Sequence, residues 1–190
     1  MSATNSIDLD RDPRSIIGTR VFDAPRKLVW QQWTDPKYLA QWWGPDGFTT
    51  NTSAFEFRAG GIWRFVMHGP DGRDYQNRIT FDEIVKPERI VYRHDGGEDV
   101  EPVQFAQTVT FEDFDNGQNR MIWHGKFPTA EERKRVIETY GADKGWCKPW
   151  RVSPTIWRRW PNRGTPDVRA ALAIRTGRAK RLAACPRLCR

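Results

Sequence analysis

Cysteine is missing from the first 145 residues; Cys147, Cys185 and Cys189 all lie beyond them. A body of this kind has no disulfide framework, no thiol nucleophile and no thiolate metal ligand, and it suits a reducing compartment. Histidine is scarce as well, with only His68, His94 and His124, and no two stand at metal-ligand spacing. Nucleophile elbows and phosphate-binding glycine loops are absent, which counts against a hydrolase or a nucleotide enzyme. No apolar run approaches the roughly 20 residues needed to span a bilayer. The opening MSATNSIDLDRDPRS is polar and acidic, unlike a signal or transit peptide. These absences predict a cytoplasmic protein with no cofactor, no metal and no membrane span.

Charge is present but uneven. Residues 146–190 carry twelve of the 31 Lys and Arg residues and one of the 24 acids, Asp167. Residues 1–145 are therefore net acidic, with 19 bases against 23 acids. The overall charge of +7 would suggest a nucleic acid partner, but the signal belongs to the tail alone.

In the body, Ser15–Phe22 reads as a first strand after a disordered leader over 1–14. Pro25 opens a helix with Val29, Trp30 and Trp33 on one side, and Asp35-Pro36 restarts it as a cap and first-turn pair. Leu39, Trp42 and Trp43 form the buried face of that second helix. Six strand-like runs follow between residues 51 and 127, punctuated by Gly60-Gly61, Pro70-Asp71-Gly72, Lys86-Pro87, Gly96-Gly97 and Asn116-Gly117. Alternation sorts them into two faces. Trp63, Phe65, Met67, Tyr75, Asn77, Ile79, Phe81, Ile90, Tyr92, His94, Phe105, Gln107, Val109, Phe111, Met121, Trp123 and Phe127 share one. Arg64, Arg78, Arg93, Glu112, His124 and Lys126 fall on the other. The pattern predicts an α+β fold with one aromatic face and one solvated face. The aromatic face needs a cover. The helix starting at Thr129, with Thr129 and Glu132 as a capping box and Val136, Ile137 and Tyr140 as a stripe, can supply it.

Five segments in order, RVFDAPRKLVWQQWTDPKYLAQWWGPDGF, FRAGGIWRFVMHGPDG, EIVKPERIVY, TVTFED and FPTAEERKRV, resemble the START-like (SRPBCC) superfamily. More narrowly, they are similar to its bacterial branch named after the Activator of Hsp90 ATPase homologue 1. The resemblance covers about residues 14–146. It implies a helix-grip fold, in which a curved antiparallel sheet wraps a long C-terminal helix with a cavity between them. It also implies an apolar or amphipathic small-molecule ligand. A chaperone-associated domain of the Hsp90 type and a cyclase-like enzyme are the other activities found in such families.

Measured against that family, the last helix ends too soon. After Gly145 the text becomes WCKPWRVSPTIWRRWP, with three prolines in sixteen residues and no periodicity. Back-translating from Gly145 and reading each third base with the next two forces apolar codons at helical spacing. Gly-Leu-Val-Gln-Thr-Leu-Ala-Arg-Leu-Ala-Asp-Tyr-Leu-Ala is one permitted outcome, an amphipathic continuation of the stripe. The expectation is a START-like domain over 15–146 and a tail over 147–190 in a non-native frame, following a one-base deletion near the codon of Gly145. The alternative is a basic arm for nucleic acid, with arginines on phosphates and Trp157 or Trp160 on bases. Out-of-frame GC-rich DNA yields the same composition, and Cys185 and Cys189 lack further ligands for zinc. A helix cut short would lose several large buried side chains, each worth about 1.5–3 kcal/mol, and the product would be of low stability with a loosely placed tail.

The expected ligand contacts are Trp43, Phe48, Trp63, Phe65, Met67, Tyr75, Tyr92, His94, Phe105, Gln107 and Trp123, with Trp42 beside them. Aromatic walls with a few polar anchors suit a small apolar partner. The same residues would equally serve as packed core. No catalytic residue is assigned, and His94, near a strand end, reads more readily as a capping or surface residue than as a general base.

Overall fold

A computed structural model describes residues 6–45, 47–96 and 99–140. Eight strands form one curved, unclosed antiparallel sheet in the order β1-β2-β8-β7-β6-β5-β4-β3. In chain order they are β1 (Ser6–Asp8), β2 (Ser15–Phe22), β3 (Thr49–Phe55), β4 (Ile62–His68), β5 (Asp74–Val85), β6 (Arg89–His94), β7 (Phe105–Phe114) and β8 (Gln118–Lys126). Helices α1 (Arg26–Thr34) and α2 (Pro36–Leu39) join β2 to β3, and α3 (Ala130–Tyr140) follows β8.

The predicted alternation holds on every long strand. Trp63 and Phe65, Ile79 and Phe81, Ile90 and Tyr92, Val109 and Phe111, and Met121 are all buried on the inner face. The outer face is tied by cross-strand ion pairs instead: Arg64 with Asp99 at 3.0 Å, Arg93 with Asp82 at 3.0 Å and Arg120 with Glu112 at 2.6 Å. A bulge between Phe81 and Glu83 shifts the β5–β6 register, and bulges of this kind sharpen the local bend and twist of a sheet.

Helix α1 ends at Thr34 because Pro36 disfavours helical backbone at Asp35. Asp35 then caps α2, its Oδ1 accepting from the Lys37 N–H at 2.9 Å. The second helix is shorter than its pattern suggests, one turn, and Trp42 and Trp43 follow it in a turn rather than on a helical face. The Asn116-Gly117 connection joins β7 to β8 through a 3-10 turn, with both residues at positive φ (56° and 74°). Asparagine and glycine tolerate that region best.

Two further differences from the sequence reading have physical causes. Within the stretch expected as a disordered leader, Ser6–Asp8 add a strand against β2, Ile7 opposite Gly18. Leu9 packs on the buried cluster Ile16, Val103, Phe127 and Val136, and the Arg133 guanidinium donates to the Leu9 carbonyl at 2.8 Å. Only half of the capping box forms at α3. The Glu132 N–H donates to Thr129 Oγ1 at 3.0 Å, but the Glu132 carboxylate turns to Arg135, whose guanidinium holds its pKa below the ordinary value. Of the α3 stripe, Val136 is buried and Ile137 partly so, both against the β2, β7 and β8 end of the inner face. The expectations for the helix beyond Tyr140, the side chain of Tyr140, and the basic tail lie outside the described residues.

Candidate functional site

The inner face divides along the strands. At the end nearer α1 and α2 it is filled. Trp30 meets Phe57 and Phe111 edge-on, with ring centroids 6.1 and 5.3 Å apart. Trp33 packs on Trp42 at 4.9 Å and Trp43 at 6.0 Å, and Trp43 on Trp63 at 4.7 Å. Trp63 in turn lies 4.2 Å from Phe65 and donates its indole N–H to Thr52 Oγ1 at 3.0 Å. Among Trp33, Leu39, Trp43, Trp63, Ile79, Phe81, Ile90 and Tyr92 there remains a void of about 10 Å3, room for one water at most. Of the expected ligand contacts, Trp43, Trp63, Phe65 and Tyr92 are therefore brought together, in one close-packed cluster.

Phe48, Met67 and Tyr75 gather at the start of β3 and β5. Phe48 and Tyr75 lie 5.5 Å apart, and the Met67 sulfur sits against Gly44. The Arg73 guanidinium lies 4.4 Å over the Tyr75 ring, so this group is closed on its outer side by a cation.

The remaining contacts lie where β6 and β8 end and β7 begins. His94 is buried, not a surface or capping residue, and stacks on Phe105 at 5.1 Å and 17°. Phe105 continues to Phe127 at 5.4 Å. Both imidazole nitrogens face acceptors: Nδ1 the Val103 carbonyl at 3.1 Å, Nε2 the Asn77 Oδ1 at 2.9 Å, while Asn77 donates its amide to the Tyr75 carbonyl at 2.7 Å. A neutral imidazole has a single N–H and donates to one of the two. Burial lowers the His94 pKa, opposed by the Val103 carbonyl and the charges of Asp95 and Glu101. Tyr92, wholly enclosed, has its phenol pKa pushed up by burial, and it receives a hydrogen bond from Trp123. Gln107, paired across the sheet with Tyr92 and Gly125, is fully buried, and its Oε1 has no partner among the described residues. A Cβ on Gly125 would stand 3.1 Å from that oxygen, so only glycine leaves it room.

Beside this group opens a cleft of about 500 Å3, lined by residues from both faces of the sheet. His94, Phe105 and Phe127 come from the inner face. Arg78, Arg93, Ala106 and Lys126 come from the outer face, with Asp95, Gly96, Gln104 and Pro128 at the rim. The four outer-face residues are missed when each face is read separately. The signal was available in the register, because Arg93, Ala106 and Lys126 form one cross-strand row. Among the described residues no three His, Cys, Asp or Glu side chains could hold a metal together, and no helix is long and apolar enough to cross a membrane.

A curved open sheet with helices on its inner face and a helix after the last strand is the helix-grip architecture of START-like proteins. The family model described as Activator of Hsp90 ATPase homolog 1-like protein matches residues 23–151, more than half of the chain. The chain belongs to that family. Among solved structures it is similar to protein Ms6760 of Mycobacterium smegmatis, at 26% identity and a TM-score of 0.66 over 76% of this chain and 90% of that one. A protein from Arthrobacter aurescens matches at 29% identity and a TM-score of 0.67, covering 74% of this chain and 83% of its own. The AHSA1 protein of Silicibacter pomeroyi shares the fold at 18% identity and a TM-score of 0.54, over 70% and 93% of the two chains. A comparison with curated proteins finds no match.

Proposed function

We propose that this protein binds a small amphipathic molecule at the His94–Phe105 end of its sheet, in the cytoplasm, and that it binds without turning its ligand over. The observation that carries this is the contrast in space. The cleft of about 500 Å3 falls within the roughly 300–1,000 Å3 typical of small-molecule sites, whereas the aromatic cluster leaves about 10 Å3. The cleft joins rings of His94, Phe105 and Phe127 to charged side chains, a lining suited to a molecule with one apolar and one polar end. Binding is favoured over catalysis because His94 is buried with acceptors on both nitrogens, a poor position for exchanging protons with a substrate. Trp123 lies near enough to Phe105 and its neighbours to report occupancy. A panel of amphipathic compounds titrated into the protein should include members that change tryptophan fluorescence saturably at micromolar concentration. A flat response to all of them overturns the reading.

The sequence beyond about Trp146 is proposed to be out of frame. The fixed bases of the back-translation support this. Inserting one base near the codon of Gly145 should raise stability by several kcal/mol, as large apolar side chains return to the inner face. Independent isolates whose DNA agrees with the present frame would contradict it.

A further inference from the structure

The outer-face half of the cleft is unusual for the side of a sheet otherwise neutralised by ion pairs. Arg93 and Lys126 flank Ala106 in a single cross-strand row, each one strand away from it. The small side chain between two long cations leaves a slot rather than a ridge. Arg78 adds a third cation to the lining, against one carboxylate, Asp95. Asp95 is shared, at 3.8 Å from Arg78 and 3.6 Å from Arg93. Asp82 holds Arg93 from the far side at 3.0 Å, and Asp99 lies 3.8 Å from Arg78. Lys126 is exposed and makes no ion pair among the described residues. Its charge is felt by Asp12, whose carboxyl it helps to lower, and by His124, whose imidazole it helps to keep neutral. Arg78 and Arg93 are thus matched by Asp95, Asp99 and Asp82, and Lys126 is the cation of the lining outside these pairs, at the edge of an aromatic floor where Phe105 stacks on His94 and leans on Phe127.

We propose that the cleft selects an aromatic carboxylate, its ring on Phe105 and its carboxylate between Lys126 and Arg93, a choice of head group that rests on the ligand-binding reading above. A carboxylate matches this pair because a guanidinium can meet it with two parallel N–H groups while an ammonium supplies a movable third donor. A neutral head would leave Lys126 solvated and gain only the apolar contact. A phosphate monoester, larger and more highly charged, would have to be accommodated beside Asp95.

The full chain is titrated calorimetrically with 2-naphthoate, 2-naphthylmethanol and 2-naphthyl phosphate, alongside Lys126→Gln and Arg93→Gln. Neither substitution removes a buried group, so both variants should fold, and their circular dichroism checks this. The expected result is naphthoate bound about tenfold or more tightly than the alcohol. That preference should shrink severalfold in either variant and in high salt. Equal affinity for acid and alcohol, or a preference unchanged by both substitutions, overturns the carboxylate assignment while leaving the cleft a binding site. A phosphate that binds tenfold better than naphthoate overturns it too. If none of the three binds, the ligand-binding reading falls with it.

Discussion

Two ends of one sheet face are packed in opposite ways. Toward α1 and α2, five tryptophans and their phenylalanine neighbours close over each other until about 10 Å3 remains. Toward the ends of β6 and β8, the same face carries His94, Asn77 and Gln107 among its aromatics and opens to a cleft of about 500 Å3. The difference does not come from aromatic content, which is high at both ends. It comes from what the intervening chain supplies. The β2–β3 connection brings Trp30 and Trp33 on α1, and Trp42 and Trp43 in the turn after α2, down onto the sheet. The β6–β7 connection carries Asp95, Gly96 and Gln104 along the cleft, while its Val100 and Val103 are buried. On the proposed reading, stability is concentrated at the first end and recognition at the second.

If that division is right, Trp63→Ala should have the largest effect of any single change considered. Removing a buried indole that packs on Trp43 and Phe65 should cost about 3–5 kcal/mol in denaturant unfolding, with ligand affinity at the cleft unchanged wherever the variant is still folded. Phe105→Ala should reverse the balance. It is only partly buried, so its stability cost should be about 1–2 kcal/mol, while affinity for an amphipathic ligand should fall about tenfold. A Phe105→Ala protein that loses stability without losing binding would break the comparison.

His94→Gln tests the polar end through pH. Burial holds the folded imidazole below its ordinary value of 6.5. The unfolded chain therefore takes up a proton that the folded chain resists. The stability at stake is fully present above that ordinary value and declines as pH falls from it toward the folded value. His124 is shifted in the same direction by burial and Lys126, so part of the slope should survive in the variant. Urea midpoints at about pH 7.5 and 5.5 should differ less in His94→Gln than in the parent protein; an equal difference would count against a buried, neutral His94.

The smallest expected effect is at Gln107. Its Oε1 is buried without a partner among the described residues, a state that costs about 1–3 kcal/mol. Gln107→Leu should be neutral or slightly stabilising in thermal unfolding. A loss above about 2 kcal/mol would mean that the amide has a donor after all.

Most of the fold was legible because period-two alternation on a one-sided sheet is a strong signal. Arg89–His94 is bounded as its pattern suggests, and most residues assigned inward are buried, with Met67, Tyr75, Phe105 and Trp123 partly so. Boundaries failed where tertiary contacts outweighed local chemistry. Ser6–Asp8 become a strand because β2 offers a free edge and Leu9 a buried seat, neither visible in a polar leader. Glu132 leaves its capping role because Arg135 lies one turn away. The candidate residues were less legible, since an inward aromatic reads alike whether it packs on a neighbour or lines a cleft. Trp63 and Phe105 occupy equivalent positions in the alternation; close packing on Trp43 and Phe65 encloses the first, while the second stays partly exposed beside the cleft. Arg93 and Lys126 were hidden by the assumption that a site has one face, whereas this cleft turns around the end of the sheet.

The most direct test is to map a bound amphipathic carboxylate onto the protein by amide chemical shifts, with residue assignments across the sheet. The account predicts the largest perturbations at residues 94–96, 104–106 and 126–128, with little movement at Trp43, Trp63 and Phe65. Perturbations centred on those three aromatic residues, with the His94 end unmoved, would contradict it.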